Sequence, residues 1–144
     1  MHIPIQVDYG VRALVDIVEH QSEGSVQTSK IAQRKGIPEA YLARLMLTLQ
    51  RSGIIKSQRG PHGGHLLAIS PNDISMGMVM NSLGGTQTLV SCLDHAGACD
   101  QAPKCSQRDI WQEVDEAIQS ILDSTSIADL VSRLSQTQPT IAGP

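Results

Sequence analysis

The link Gln58-Arg59-Gly60-Pro61-His62-Gly63-Gly64 constrains the fold most. It joins two short strand-like runs, Ile54–Ser57 and His65–Ile69. Three glycines and a proline in so short a connection dictate a hairpin whose exposed tip has a special backbone conformation. The segments on either side read as helices. Val7, Val11, Leu14, Val15 and Val18 recur at helical spacing and predict an amphipathic helix over 5–20, broken at Glu23-Gly24-Ser25. Thr28 and Ser29 are expected to cap a second helix through Arg34, with Ile31 and Ala32 inward and Gly36 at its end. Pro38 fits the first turn of a third helix, where Leu42, Leu45, Met46 and Leu49 make a clean apolar stripe that Ser52-Gly53 closes.

After the hairpin, Ser70-Pro71-Asn72-Asp73 predicts the start of a fourth helix holding Ile74, Met78, Val79 and Leu83, with Gly84-Gly85 at its end. Ser106 is expected to open a fifth helix. Its apolar stripe is Ile110, Trp111, Val114, Ala117, Ile118, Ile121 and Leu122, and its other face carries Asp109, Glu113, Asp115, Glu116 and Asp123. Ser126-Ile127-Ala128-Asp129 starts a last helix ending near Leu134, and the tail beyond reads as frayed. The fold class is mainly α with a small β-hairpin wing. Helix, short helix, tight turn, amphipathic helix and hairpin follow in the order of a winged helix-turn-helix.

With 144 residues the chain is one domain, and without Phe its core is aliphatic. No apolar run reaches the ~18 residues of a membrane span and no signal peptide is visible, so the cytoplasm is the expected compartment. The net charge of −3 hides an asymmetry: residues 1–23 carry −3, residues 24–71 carry +6 and residues 72–144 carry −6. A basic block between acidic ends fits a local nucleic-acid face, or else a solvated surface. On the third helix Glu39, Tyr41, Arg44 and Arg51 face outward in this reading, with Arg44 suited to guanine and Glu39 to cytosine. Arg59 and Gly60 at the wing tip suit a narrow minor groove, and Ser29 and Lys30 suit phosphate. Tyr41 reads more readily as a half-buried core aromatic. A winged helix can also dock proteins, so the architecture alone does not prove DNA binding.

All three cysteines, Cys92, Cys99 and Cys105, lie in one small, polar loop that includes Gly97 and Pro103. An odd cysteine count in a cytoplasmic setting argues for metal or redox chemistry over a disulfide framework. Convergent thiolates suit zinc or an iron–sulfur cluster, and three are one short of a full set. His95 would complete a Cys₃His zinc set, at looser spacing than structural zinc knuckles. Without metal, the trio would act as a thiol redox switch, with Lys104 lowering the Cys105 thiol pKa. No Ser/His/Asp set or nucleotide fingerprint stands at a convincing spacing, so the chain does not read as an enzyme.

Tyr41-Leu42 with its apolar helix, Ser52-Gly53-Ile54-Ile55, the run Ser57 to Ala68 and the cysteine trio together resemble the Rrf-two family of bacterial transcription regulators, over about residues 5–135. Its IscR- and NsrR-type members hold three cysteines in a loop before a long helix. The resemblance implies a repressor-like homodimer reading a palindromic operator in double-stranded DNA. It implies dimerisation through Ile110, Trp111, Val114, Ile118 and Ile121. It also implies a [2Fe–2S] or [4Fe–4S] cluster on Cys92, Cys99 and Cys105.

The fourth ligand varies within the family. The downstream His of IscR-type members is Arg108 here. The Asp that NsrR-type members take from the other subunit corresponds to Asp8, for which capping of the first helix is the rival role. A carboxylate is a hard, exchangeable ligand, so such a site is labile and suited to sensing iron, redox state or a diatomic gas. The chain departs from the family in lacking a basic N-terminal stretch and in carrying Ala43 where Glu is common. The expected organisation is a DNA-binding unit over 1–83, a cluster loop over 84–105, a dimerisation helix and C-terminal helix over 106–136 and a frayed tail over 137–144.

Overall fold

A computed structural model of the chain describes residues 2–84, 88 and 90–137. Six helices and one hairpin stand in the predicted order: α1 (Ile5–His20), α2 (Thr28–Lys35), α3 (Glu39–Arg51), β1 (Ile55–Gln58), β2 (Gly64–Leu67), α4 (Met76–Leu83), α5 (Arg108–Ser124) and α6 (Ile127–Thr137). The expected frayed tail and the expected Gly85 helix end lie outside the described residues, apart from Thr137, which closes α6.

The winged helix is built on one aliphatic core. Leu14 and Ile17 of α1, Ile31 of α2 and Leu42, Met46 and Leu49 of α3 are buried together with Ile54, Ile55, Ile74 and Val79. Gly36 adopts the left-handed conformation (φ 65°) at the end of α2, and its N–H returns to Ala32 O. This reverses the chain within two residues, so that α3 packs across α2. β1 and β2 pair antiparallel with Ile55 opposite Leu67 and Gln58 opposite Gly64. Val26 adds a bridge to His65, making a third, minimal edge to the wing.

Three expected helix starts are corrected. Thr28 and Ser29 do not cap α2: its N-cap is Gln27, without a side-chain bond. Thr28 Oγ1 bonds instead to His65 Nε2 at 2.8 Å. Ser70 accepts from Asn72 N–H but caps only a 3-10 turn over Pro71–Asp73. Ile74 then runs extended so that its side chain enters the core and its carbonyl accepts from Ile127 N–H at 2.8 Å. α4 begins at Met76, capped by Ser75 Oγ accepting from Met78 N–H. Ser106 is not the cap of α5; Gln107 is.

The C-terminal elements divide. α6 packs back on α1, with Ile127 fully buried and Leu130 and Val131 against the core. Its start is a reciprocal capping box: Ser126 N–H donates to Asp129 Oδ2 at 2.9 Å and Asp129 N–H donates to Ser126 Oγ at 3.0 Å. α5 touches α4 and has no buried residue. It crosses α4 closely at Gly77, where an added Cβ would collide with the Asp123 carboxylate.

Candidate nucleic-acid interface and cysteine loop

Two groups of predicted site residues occupy different regions. The first lies along α2, α3 and the wing. Ser29 and Lys30 are exposed in the first turn of α2, and Glu39, Arg44 and Arg51 are exposed on α3. The guanidinium groups of Arg44 and Arg51 have no ion-pair partner among the described residues. The two unpaired cations lie two turns apart on one exposed face, with the apolar stripe turned inward. Tyr41 is half-buried and meets the Tyr9 ring edge-on at 5.8 Å.

Arg59 and Gly60 stand exposed at the wing tip, where Gly60 has φ 115°. Gly63 N–H donates to Gly60 O at 2.9 Å and closes the turn. The tip is tied down rather than free. Ser25 Oγ donates to the His62 carbonyl at 2.7 Å, and Ser57 Oγ donates to Gln50 Oε1 at 2.9 Å. His65 sits between Thr28 Oγ1 (2.8 Å) and Ser57 Oγ (3.4 Å), so its neutral ring can donate from one nitrogen and accept at the other. Burial pushes the His65 pKa below its ordinary value of 6.5. Between the wing tip and the start of α2 lies a groove of about 370 Å³, lined by Lys30, Gln58, His62 and Gly63 among others.

A buried ion pair fixes α2 against α1. Asp16 is fully buried and accepts from Arg34 Nε at 2.9 Å and Nη2 at 2.7 Å. That bidentate bond raises the Arg34 pKa above its ordinary value. Sequence reasoning missed this pair, because Asp16 stands between apolar residues and looks like one more helix acid.

The second group is the cysteine loop. Cys92 lies in a 3-10 turn over Ser91–Leu93, Cys105 follows one over Ala102–Lys104, and all three thiols are free and half-buried. The donors fit soft-metal or iron–sulfur chemistry in type. One further observation fits an anionic group nearby: Arg108 Nε, three residues after Cys105, is buried without a hydrogen-bond partner. Such a donor is costly to leave unpaired. Among the described residues, the ligand-type side chains whose atoms lie within 4.8 Å of one another are Asp16, Glu19 and His20. Arg34 already neutralises that group through Asp16. The cysteines and His95 form no such group, whereas tetrahedral zinc with ~2.3 Å bonds needs its sulfurs within about 4 Å of each other.

Asp8 lies in the first turn of α1, its side chain 43% exposed and paired with Arg12 Nη2 at 2.8 Å. The predicted dimer residues of α5 are uncovered: Ile110 is 56% and Ile121 64% exposed, Trp111 and Val114 are exposed, and Ile118 is half-buried.

Helix-turn-helix, tied wing and unpaired arginines define a winged-helix DNA-binding protein. Residues 3–133 match the family described as Rrf2: Iron-dependent Transcriptional regulator, and the chain belongs to that family. It is a DNA-binding transcription regulator and not an enzyme. It is 37% identical over 131 residues to Protein rrf2 of Nitratidesulfovibrio vulgaris, covering 91% of this chain and 87% of that protein. It is 32% identical over 123 residues to the HTH-type transcriptional regulator IscR of Aliivibrio salmonicida, covering 85% and 73%. Among solved structures, T. potens IscR superposes with a TM-score of 0.76 at 30% identity, covering 96% of this chain and 91% of that one. CymR, the global cysteine regulator of B. subtilis, superposes at 0.79 with 29% identity, covering 92% and 98%. No helix among the described residues is long and apolar enough to cross a membrane.

Proposed function

We propose that the chain is a dimeric, cytoplasmic repressor that reads a palindromic operator and senses iron, redox state or a diatomic gas through an iron–sulfur cluster. Cys92, Cys99 and Cys105 supply three ligands and the partner subunit's Asp8 the fourth. The carrying observation is the conjunction of three free, half-buried thiols on one loop with the buried, unpartnered Arg108 Nε at the start of the next helix. A cluster would supply the negative charge that this donor lacks. Arg44, Glu39 and Arg51 read bases in the major groove, Arg59 and Gly60 enter the minor groove, and Ser29 and Lys30 hold phosphate. Half-burial of Tyr41 leaves it supporting α3 from behind.

Asp8 would have to give up Arg12 to serve as a ligand. The exposed pair it leaves is worth little, about 0–1 kcal/mol, so the exchange is easy in both directions. That suits a sensor. Shared ligation by Asp8 and the cysteine loop would couple the N-terminal turn of α1 to that loop, and two dimer geometries differing in the spacing of their DNA-reading heads would follow. Asp8→Ala is expected to shorten the lifetime of the visible cluster absorbance under air while leaving the circular-dichroism spectrum unchanged. An unchanged lifetime removes Asp8 from the ligand set. DNA affinity measured with and without cluster on one operator should differ at least tenfold.

A second reading has its own support. The likeness to a cysteine regulator and the free thiols favour a metal-free thiol switch. A disulfide within the trio after mild peroxide, in protein that never held iron, supports that reading instead.

A further inference from the structure

Leu47 lies on the wrong side of α3 for a core residue. Leu42, Leu45, Met46 and Leu49 are buried, while Leu47 is 47% exposed. Helical spacing puts Leu47 in line with Arg44, three residues before it, and Arg51, four after it, with Ala40, Ala43 and Gln50 completing the same exposed face. A single exposed leucine on a surface is ordinary. This one is bracketed by two guanidinium groups that have no ion-pair partner among the described residues. The face is therefore apolar at its centre and cationic at its ends, with the small Ala40 and Ala43 and the polar Gln50 beside them.

The major groove offers a matching surface. Guanine presents two acceptors to an arginine, and thymine presents its C5 methyl, the apolar group on the base edges there. Along the helix Leu47 stands about 4.5 Å from Arg44 and about 6 Å from Arg51. Base pairs are stacked about 3.4 Å apart, so the two kinds of contact fall within about two base pairs of each other. We infer that Leu47 is a specificity-determining residue that takes the methyl group of a thymine lying within two base pairs of a guanine read by an arginine of α3. This rests on the reading of α3 as the recognition helix.

The test uses the purified full chain. Preferred sites are first selected from random duplex DNA. Each thymine of the selected site is then replaced singly by deoxyuridine, which removes only the methyl group, and affinity is measured for the wild type, Leu47→Ala and Arg44→Ala. In the wild type, one thymine per half-site should show a loss of roughly fourfold, the worth of one buried methyl. In Leu47→Ala that loss should vanish at that position, with folding unchanged because the side chain is exposed. If Leu47→Ala keeps the full deoxyuridine profile, or if no thymine is sensitive in the wild type, the inference is overturned. Arg44→Ala separates the two failures. If it lowers affinity and relaxes a guanine preference, α3 still reads DNA and only the leucine contact is wrong. If it changes neither, the recognition-helix reading falls as well, and the leucine contact with it.

Discussion

The two halves of the chain differ in how complete they are. In the winged helix, α1, α2, α3, the hairpin and α4 enclose a core whose largest side chains are fully buried, and α6 returns to close it with Ile127. In α5 nothing is buried, and Ile110 and Ile121 remain more than half exposed on a helix that is acidic on its other face. The DNA-reading half is finished within one chain. The other half offers three thiols, an unpaired buried guanidinium nitrogen and an uncovered apolar stripe. Two aspartates on α1 show the same contrast. Asp16 is sealed under Arg34, whereas Asp8 is 43% exposed and paired with Arg12.

The sharpest way to break this contrast is to cut one leucine or isoleucine from each half. Leu14→Ala, in the core, should cost about 2–5 kcal/mol in urea unfolding. Ile121→Ala should change unfolding of the dissociated chain by less than about 0.5 kcal/mol. It should instead raise the concentration at which sedimentation shows association. Comparable unfolding costs for the two would mean that α5 belongs to the monomer core.

Arg34→Ala tests the sealed aspartate. Removing one partner of a buried pair typically costs ~3–5 kcal/mol. Arg34 is itself 34% exposed, so water can reach the gap and the lower end of that range is expected. Arg12→Ala should cost well under 1 kcal/mol by the same unfolding measurement.

The smallest expected effect concerns the wing. Because burial lowers the His65 pKa, the folded chain holds this ring neutral while the unfolded chain takes up a proton. The stabilising contribution is complete above about 6.5 and is lost as pH falls from there through the lowered folded value. His65→Gln should therefore flatten the decline in urea midpoint between pH 7.5 and 5.5. An identical decline in both proteins would place the sensitivity elsewhere.

Much of the winged helix was legible in the sequence because its signals are local. The stripe Leu42–Leu49, the Gly36 stop and the glycine-rich link each carry their own stereochemical instruction. What was misread depended on distant partners. Thr28 is a good cap by chemistry, but its hydroxyl is taken by His65, 37 residues away. The Ser70-Pro71 start is real, yet the helix is deferred because Ile74 is drawn extended into the core beside Ile127. The Asp16–Arg34 pair was invisible for the same reason. Leu47 was overlooked although its position off the apolar stripe is readable on a helical wheel. The cysteine loop announced its chemistry by composition alone, but spacing could not say how the thiols converge or what the buried Arg108 nitrogen faces.

Native mass spectrometry of anaerobically purified protein tests directly the proposal that a cluster and a second subunit complete the half holding the cysteine loop and α5. The expected result is a dimer whose excess mass corresponds to one iron–sulfur cluster per chain, matched by iron and sulfide in equal amounts. A dimer or monomer carrying zinc, or no metal at all, would contradict it.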